Sequence, residues 1–466
     1  MAHKTNKRKI KSKTGVDGNS WLVMSENQPI NWNLFNQAHE YAKSYDYKYC
    51  WCASGNIYLR KNDWVSPATI NSKADLEKLR NADLLDTSLL TFEGCFERQV
   101  EKILGFICLT RREVDNLQSL LDDLTNALCC IWPDCRVYPF GSVVMGLAIK
   151  TSDLDCYVDL PSEHAVQNPV IRVRNLLKKD TSRFIKIFAI TRARVPILKF
   201  VHAPSGFSCD VNFSNLIGVR NSKLVKFLLS MDLRALRLTV ILKYWSKVYK
   251  LTGTNYMPNY ALVLMVIFYL QVKSVLPSVL ELQQHIQGHW VNVWNTAFND
   301  SFVHTACNTE SLYELLGGFF EYYKKFNYAQ FVISPFLGRP IKKEQLKKIS
   351  AHSLGFIVYL NNVLGEKCDP IRSDTAICIQ DPFDHSRNCA VAVTPKLLNI
   401  ILGHVSIGHR MFDEIPPVVF LSKLFTHKLV YEPTESTLCS KLVCESAVST
   451  LPKQRKPNNT WDVSDI

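Results

Sequence analysis

The stretch YPFGSVVMGLAIKTSDLDCYVDL, residues 138–160, decides the fold. It contains a Gly-Ser pair, Gly141 and Ser142, and eleven residues after the Ser it carries the triplet Asp153-Leu-Asp155. Alternate residues of a strand point to the same side, so the two carboxylates should project together. Like charges that close repel each other in a poorly solvated site unless a cation lies between them. The stretch therefore predicts a strand with a cation site, placed just after a glycine turn.

A later strand supplies a third carboxylate. Asp210 stands alone in the apolar segment SCDVNFS, which the hairpin turn Ala203-Pro204-Ser205-Gly206 joins to the strand VPILKF. Carboxylate oxygens suit hard ions, so Mg²⁺ is the expected cofactor, with Mn²⁺ as an alternative, and two such ions support in-line phosphoryl transfer. A strand that merely exposes its aspartates is the competing interpretation, and the full set of motifs argues against it.

The Gly-Ser pair predicts contact with a phosphate. Gly141 lets the backbone approach a phosphate closely, and Ser142 and neighbouring N–H groups can hold its oxygens. We expect this turn to lead into a short helix.

Composition narrows the class of protein. The chain has 466 residues, of which 47% are hydrophobic, so it is long enough for two or three domains with real cores. Lys and Arg number 55 against 42 Asp and Glu, and the net charge of +13 favours a polyanionic partner. The 15 cysteines form no Cys-x-x-Cys pair and no zinc-type spacing, which predicts scattered reduced thiols in an intracellular protein. The apolar run Ala261–Leu270 is too short to span a bilayer and predicts a buried helix, so no membrane partner is expected.

The order of patterns along the chain predicts six segments. A basic disordered arm (1–25) is followed by a small accessory module (26–85) of unknown ligand, with two strands around Ser54–Asn56 and a helix from Asp75. Helices that join the central domain (90–134) precede a strand-rich catalytic region (135–225), a helical domain (226–410) and a C-terminal tail (411–466). The predicted fold class is α+β: a palm with a mixed β-sheet and flanking helices, packed against a helical body, with the active-site cleft between them.

Two charged clusters lie outside the predicted domains. The first is Lys4, Lys7, Arg8, Lys9, Lys11 and Lys13. It is either a solvated arm or a nuclear-import or RNA-contacting segment. The second is Lys453, Arg455 and Lys456 in the tail. The expected location is the nucleus, with nucleolus or speckles as candidate compartments and the cytoplasm as the alternative.

At this point the sequence resembles a known family. Gly141-Ser142 with Asp153, Asp155 and Asp210 is similar to the DNA polymerase β-like nucleotidyltransferase superfamily. Within it, residues 95–395 resemble the template-independent RNA nucleotidyltransferases. VYPFGS, TRARVPILKF, PSG, NYAL and QDPFD resemble the branch of speckle-targeted poly(A) polymerases and U6 snRNA-specific terminal uridylyltransferases. The segment 311–326 resembles the start of the poly(A)-polymerase-associated domain, and the accessory module weakly resembles the C-terminal part of the baculovirus FP protein.

The resemblance implies roles for further residues. It implies that Asp153, Asp155 and Asp210 hold the metals, and that the remaining positions bind the nucleotide. Those nucleotide-binding positions are Gly141, Ser142, Asn215, Asn221, Ser222, Lys243, Lys247, Asn259, Tyr260, Asp381, Asp384 and Arg387. Asn221 and Ser222 would contact the ribose, where an amide and a hydroxyl can read the 2′-OH. Lys243 and Lys247, on one helical face, would contact the triphosphate, and Tyr260 would stack on the base.

The base-recognition motif departs from the uridylyltransferase pattern. Uridylyltransferases commonly place a His just before the final Asn, whereas QDPFDHSRN has Arg387 there and His385 two residues earlier. An inward Arg387 would donate to the keto oxygen of uracil while Asp381 or Asp384 accepts from its N–H. This polarity favours terminal uridylyl transfer from UTP to RNA 3′ ends. A poly(A) polymerase that uses ATP at the same site is the alternative, and an inactive RNA-binding relic is a remote third. Protein partners are not predicted.

Overall fold

The computed structural model describes residues 84–160, 168–193, 195–214, 216–304, 307–347 and 355–427, and the backbone of three strands between 49 and 70. The basic arm, the helix expected from Asp75, Asn215 and the basic cluster of the tail lie outside the described residues. The strands are β1 (Tyr49–Ala53), β2 (Asn56–Arg60), β3 (Ala68–Ile70), β4 (Arg136–Phe140), β5 (Leu154–Asp159), β6 (Phe184–Ile190), β7 (Ile197–His202), β8 (Ser208–Asn212), β9 (Trp290–Val291), β10 (Trp294–Asn295), β11 (Phe331–Val332) and β12 (Ile341–Lys342). The helices are α1 (Phe96–Ile107), α2 (Arg111–Cys129), α3 (Pro169–Leu177), α4 (Ile217–Ser230), α5 (Leu233–Val248), α6 (Asn259–Val272), α7 (Val279–Leu282), α8 (Leu312–Lys325), α9 (Lys343–Lys347), α10 (Ile357–Leu364), α11 (Pro395–Glu414) and α12 (Pro417–Thr426), with a 3₁₀ turn at Thr87–Leu89.

A five-stranded mixed sheet forms the first half of the fold. Its strand order is β4-β5-β8-β7-β6; β5 and β8 run parallel and the other pairs are antiparallel. The predicted hairpin is present, because β7 and β8 pair antiparallel and are joined through the turn that contains Gly206, whose φ is +79°. In the accessory module, β1, β2 and β3 form a separate antiparallel sheet, with the expected two strands on either side of residues 54–55.

Strand alternation gives the five-stranded sheet two different faces. On the core face, buried side chains such as Leu154, Cys156, Leu198 and Val211 form a hydrophobic core with the apolar sides of α2 and α3. The other face, called the open face below, carries Asp155, Asp210, Lys199 and the residues at i±2 from them. Except for the buried Asn212 at the end of β8, the residues on this face are exposed or half-buried, because a strand with one buried side presents every second residue to the other side.

Helices build the second half of the fold around a larger core. The apolar run Ala261–Leu270 lies inside α6 and is buried over its whole length, as predicted. Helix α8 begins with a capping box between Ser311 and Glu314 and buries the expected apolar stripe of Leu315, Leu316, Phe319, Phe320 and Tyr323. The mixed sheet with flanking helices, followed by a helical region, confirms the α+β prediction. None of the helices in the described residues is long and apolar enough to cross a membrane.

Three expectations differ from the observed structure. Helix α2 packs on the sheet rather than with the helical domain, since its buried leucines belong to the core of the sheet, while α1 joins the helical core. The chain after Gly141 makes hydrogen-bonded turns and not a helix, because Gly146 adopts a φ of +75°. The tail expected from 411 starts later, since α11 continues to Glu414 and α12 buries an apolar stripe that includes Phe420 and Phe425. All eleven cysteines of the described residues outside the accessory module are free thiols.

Candidate active site

Strand register brings two of the predicted carboxylates together. Asp155 in β5 lies directly opposite Asp210 in the parallel neighbour β8, so both side chains are on the open face. Asp153 is the second residue before Asp155 and precedes the first residue of β5, and about half of its side chain is exposed. The three acidic residues predicted from the sequence therefore occupy one region at the beginning of two adjacent strands.

Lys199 is a member of this cluster that the sequence did not reveal. It lies in β7 opposite Asp210. Its Nζ donates to Asp210 Oδ2 over 2.5 Å and lies 4.0 Å from Asp153 Oδ2. The segment TRARVPILKF was noted for its resemblance alone, and the only signal for Lys199 was a single cation in an otherwise apolar strand. Pairing across strands is what makes the lysine a counter-ion.

Burial and mutual repulsion perturb these carboxylates. Burial, together with the negative charges of Asp210 and Asp153, raises the pKa of Asp155 to about 7. Burial also raises the pKa of Asp210, although its hydrogen bond from Lys199 acts in the opposite direction. Asp210 Oδ1 is buried and has no hydrogen-bond partner among the described residues. The site thus holds more negative charge than the neighbouring side chains neutralise.

Gly141 is required by both conformation and space. Its φ is +73°, and a Cβ at this position would overlap Oδ2 of Asp155, which lies in the adjacent strand. Its N–H donates to Ser222 Oγ over 2.8 Å, and that hydroxyl donates in turn to the backbone oxygen of Gly218 over 2.8 Å. The turn is therefore held against helix α4, with the backbone close to the carboxylates.

A cavity of about 350 Å³ opens above the carboxylates. The site residues that line it are Gly141, Ser142, Asp153, Asp155, Asn221, Ser222, Lys243, Lys247, Asn259, Tyr260 and Arg387. Asp210 lies behind this lining, paired with Lys199. Eleven of the predicted positions, drawn from the turn, the strand, three helices and a distant loop, therefore meet in one cavity.

The two predicted lysines form a basic end of the cavity. Lys243 is almost fully buried, and its Nζ donates to the backbone oxygen of Leu147 over 2.7 Å and to Ser152 Oγ over 3.3 Å. Lys247, one turn later on α5, donates to Thr151 Oγ1 over 3.2 Å. Burial and the neighbouring Lys247 lower the pKa of Lys243 to about 7, and burial lowers the pKa of Lys247. An anion entering the cavity would therefore find two poorly compensated ammonium groups.

Asn221 and Ser222, both predicted to contact the ribose, differ in whether their side chains are free to do so. Ser222 uses its hydroxyl to hold the Gly141 turn, so the predicted contact of this hydroxyl with a ribose competes with a bond already made. Asn221 donates from Nδ2 to Asp381 Oδ2 over 3.0 Å, which leaves its Oδ1 buried without a partner among the described residues. The amide oxygen of Asn221 is the better candidate for reading a hydroxyl group.

Asp381 does not line the cavity, contrary to its predicted place at the base edge. It is fully buried, its Oδ1 accepts from the backbone N–H groups of Phe383 and Asp384, and its Oδ2 accepts from Asn221. Every oxygen of this carboxylate is thus engaged in holding the loop and the Asn221 amide. Asp384 likewise does not line the cavity, and its Oδ1 accepts from the N–H and hydroxyl of Ser386.

Of the charged residues in the base-recognition motif QDPFDHSRN, Arg387 is the one that lines the cavity. Its side chain is exposed, and no described side chain forms a hydrogen bond with its guanidinium group. His385 instead packs among aromatic rings, with its ring centroid 4.1 Å from that of Phe336, and burial lowers its pKa to about 4. His385 is therefore a neutral core residue and does not substitute for a histidine at the position of Arg387.

Tyr260 and Asn259 begin helix α6 and complete the wall. The Tyr260 hydroxyl is buried near Asp381 but makes no hydrogen bond of ordinary geometry with the described residues, and burial raises its pKa. Asn259 Oδ1 is also buried without a partner among these residues. Both groups keep unused hydrogen-bonding capacity beside an aromatic surface, which suits a planar polar ligand.

Comparison with known proteins identifies three matching regions. Residues 96–230 match the central palm domain of the mitochondrial-like poly(A) RNA polymerases, and residues 311–387 match the Cid1 family of poly(A) polymerases. Residues 29–80 match domain 2 of the baculovirus FP protein, in line with the weak resemblance noted above.

The relatives that match this chain are named after two different activities, poly(A) synthesis and terminal uridylyl transfer. The zebrafish (Danio rerio) Speckle targeted PIP5K1A-regulated poly(A) polymerase is 28% identical over 54% of this chain and 38% of its own length. The Terminal uridylyltransferase cid1 of Schizosaccharomyces pombe is 27% identical over 68% of this chain and 79% of its own length. A structure of the Cid1 poly(U) polymerase, a histidine-to-asparagine variant bound to MgATP, has a TM-score of 0.60 at 24% identity and covers 72% of this chain and 99% of that one.

The chain spans 38% and 44% of the length of the zebrafish and Xenopus tropicalis speckle-targeted relatives, so what those whole proteins do does not transfer directly. The palm match, the poly(A)-polymerase match and the shared fold agree with the cavity described above. Residues 96–230 and 311–387 are therefore similar to RNA nucleotidyltransferases, and the matching relatives are named as speckle-targeted poly(A) polymerases and as terminal uridylyltransferases.

Proposed function

We propose that this protein adds UMP from UTP to the 3′ ends of RNA without a template. One observation carries the proposal: a single cavity joins an acidic end, formed by Asp153 and Asp155, to a basic end, formed by Lys243 and Lys247. Nucleotidyl transfer needs both ends, because the triphosphate requires cations while activation of the RNA 3′-OH requires metal-binding carboxylates.

The acidic end fits Mg²⁺ by its donor chemistry. Its ligands are hard carboxylate oxygens, Asp210 Oδ1 is a buried acceptor without a partner among the described residues, and burial together with mutual repulsion raises the pKa of Asp155. Within the described residues, no three acidic, His or Cys side chains form a preassembled metal cluster. One oxygen of Asp210, Oδ2, accepts a hydrogen bond from Lys199. Asp153, Asp155 and Asp210 would hold the metal, with Mn²⁺ as an alternative ion. The bound ion would neutralise charge and align the reacting oxygens.

The protein's own groups position the substrates. In the reaction the RNA 3′-OH gives up its proton to solvent, and its oxygen forms a bond to the α-phosphorus. The bond from that phosphorus to the bridging β-phosphate oxygen breaks, and pyrophosphate leaves with its negative charge. Lys243 and Lys247 would receive that charge, and a triphosphate would draw a proton onto Lys243, whose pKa lies near 7. The Gly141 turn would bring backbone N–H groups to the phosphates beside the carboxylates. Alignment and electrostatic stabilisation supply the rate enhancement.

The remaining wall would recognise the nucleoside. Asn221 Oδ1 would accept from the ribose 2′-OH, and Tyr260 would stack on the base. Stacking does not discriminate among bases, so base choice falls to hydrogen-bonding groups at the base edge. Arg387 is the group in place, and its donors match the keto oxygens of uracil. With Asp381 and Asp384 occupied elsewhere, the amide oxygen of Asn259 is a candidate acceptor for the uracil N–H.

Use of ATP for poly(A) synthesis is the second candidate function. A specific observation favours it: Arg387 replaces the histidine that uridylyltransferases commonly have at this position, and His385 is buried in the core. Relatives named as poly(A) polymerases and as uridylyltransferases match this chain at comparable identity.

A single assay separates these candidates. Purified protein, Mg²⁺ and a single-stranded RNA primer are incubated with each of the four NTPs separately. We expect extension with UTP to exceed extension with ATP by about tenfold, the scale set by one unpaired buried polar group. A preference for ATP would replace the uridylyl proposal with poly(A) synthesis, and failure with every NTP would favour the RNA-binding relic.

We also propose that the protein acts in the nucleus. Support comes from the basic cluster within the first 13 residues and from relatives whose name includes speckle targeting. Removal of residues 1–13 should shift a fluorescent fusion towards the cytoplasm. An unchanged distribution would rule out nuclear import, and an unchanged salt dependence of RNA binding as well would mean that this cluster is a solvated arm.

A further inference from the structure

A continuous row of side chains crosses the open face of the sheet. Strand register pairs Asp155 with Asp210, Asp210 with Lys199, and Lys199 with Phe188. Directly opposed residues in neighbouring strands share a face, so the row runs from the carboxylates to the edge strand β6. The bond from Lys199 to Asp210 shows that these side chains do meet on one side. Phe188 is two strand spacings from Asp210, or about 10 Å.

The aromatic end of this row is open to solvent. Phe188 is 64% exposed, and Ile190, the next residue on the same face, is 42% exposed. Their neighbour Ala189 pairs with the buried Leu198 and belongs to the core face, so the exposure of Phe188 follows from the alternation of the strand. Single exposed apolar side chains are common on protein surfaces, so it is the position of this ring in the row beside the carboxylates that makes it a candidate contact.

Charge complementarity indicates the occupant. The exposed side chains of Lys186, on β6, and Arg192, in the loop after β6, are basic. Lys199, between Phe188 and the carboxylates, is already paired with Asp210 and is not counted among these cations. Aromatic rings interspersed with cations are the surface that single-stranded nucleic acid uses, since bases stack on the rings and phosphates pair with the cations. A second protein copy would need more apolar area than these two side chains provide.

We propose that Phe188 stacks on a base of the RNA primer just upstream of its 3′ end, and that this row is the path of the primer into the active site. The inference rests on the proposed function, because it requires that the primer 3′-OH lies at the carboxylates. The ring then fixes the primer while the cavity holds the incoming nucleotide. Phe188 is a binding residue and takes no part in the chemistry.

The test is primer binding without chemistry. Dissociation constants are measured by fluorescence anisotropy for a 3′-deoxy-terminated single-stranded RNA, with Mg²⁺ and without NTP. Phe188→Leu, which keeps apolar bulk but removes the ring, should weaken binding about tenfold, whereas Phe188→Tyr should leave it unchanged. Ile190→Ala is the matched control on the same strand and face and should have less than about a twofold effect. Equal losses in Phe188→Leu and Ile190→Ala would overturn stacking in favour of general apolar contact.

Primers with one abasic nucleotide locate the stacked base. An abasic nucleotide at one of the last few positions should weaken binding to the unmodified protein and have no further effect on Phe188→Leu. If no position behaves in this way, or if Phe188→Leu changes only the oligomeric state, the inference is wrong. Extension by the unmodified protein is measured separately. Ring-dependent binding without extension would contradict the proposed function, whereas extension without ring dependence would contradict this inference alone.

Discussion

Asn221 Nδ2 donates to Asp381 Oδ2 over 3.0 Å, in a bond that joins two residues 160 positions apart. Asn221 belongs to helix α4, next to the sheet, and Asp381 to the loop that also carries Arg387. Both side chains are buried. Because a carboxylate oxygen accepts hydrogen bonds and donates none, Asp381 Oδ2 binds the amide nitrogen of Asn221 and directs the amide oxygen away from itself. Asp381 thus sets the orientation of a cavity residue without lining the cavity.

Asp381→Asn should impair recognition of the ribose. The new amide group would face Asn221 with a donor where an acceptor is needed, and the Asn221 amide would lose its fixed orientation. We expect the ratio of kcat/KM for UTP to that for dUTP to fall about three- to tenfold, with stability lower by about 1–3 kcal/mol. Asp384→Asn is the control, since the Asp384 carboxylate accepts from Ser386 in its own turn and makes no hydrogen bond to Asn221. An unchanged UTP/dUTP ratio in Asp381→Asn would show that the bond does not direct Asn221.

Gly141→Ala tests the close approach of the turn to Asp155. A Cβ there combines backbone strain at a φ of +73° with overlap of the Asp155 carboxylate. Gly146 is the matched control, because its φ is +75° and a Cβ would only touch Leu236 at 3.7 Å. Both variants should lose about 1–2 kcal/mol of stability from left-handed backbone strain. Only Gly141→Ala should lose more than about a hundredfold in primer extension. Equal extension rates for Gly141→Ala and Gly146→Ala would show that the close approach of Gly141 to Asp155 is not needed for activity.

Stability should depend on pH through Lys243. Its pKa is about 7 in the folded protein, against 10.5 for an ordinary lysine. Between these values the unfolded chain binds more protons, so the free energy of unfolding rises as pH increases from about 7 to 10.5 and stays level below about 7. Without Mg²⁺ or nucleotide, the free energy of unfolding should rise between pH 7 and pH 9 by about 1–3 kcal/mol more in the unmodified protein than in Lys243→Met. Urea denaturation measures this difference, and the exposed Lys223→Met controls for charge removal. If the free energy of unfolding has the same pH dependence in the unmodified protein and in Lys243→Met, burial does not lower the pKa of Lys243.

Much of the site could be predicted because strand periodicity is local. The period of two places Asp153 and Asp155 on one side, and the turn residues around Gly206 predict the hairpin that carries Asp210. Strand register is not local, and the pairing of β7 with β8 alone makes Lys199 the partner of Asp210. The role of Asp381 was missed for a related reason. A charged residue in a recognition motif suggests ligand contact, whereas its burial and its donor Asn221 depend on how two distant segments pack.

Base choice is predicted to depend on Arg387. Arg387→Ala should reduce the preference for UTP over ATP to about twofold or less, since the donors to the keto oxygen are lost. Arg387→His should keep or sharpen the preference, because a histidine at this position is the common uridylyltransferase pattern. Single-NTP kcat/KM values for the three proteins provide the measurement. If Arg387→Ala leaves the preference for UTP unchanged, other groups of the cavity wall, such as Asn259, recognise the base.

Primer extension by Asp155→Ala, compared with Asp159→Ala, tests the central claim most directly. Both aspartates lie on β5 with the same strand parity. Asp155 lines the cavity and pairs with Asp210 across the strands, whereas Asp159 is exposed at the far end of β5 and accepts from the Tyr157 hydroxyl. The account predicts that Asp155→Ala loses extension with every NTP while it remains folded, and that Asp159→Ala extends primers at nearly the unmodified rate. Extension near the unmodified rate by a well-folded Asp155→Ala protein would contradict nucleotidyl transfer at this carboxylate cluster.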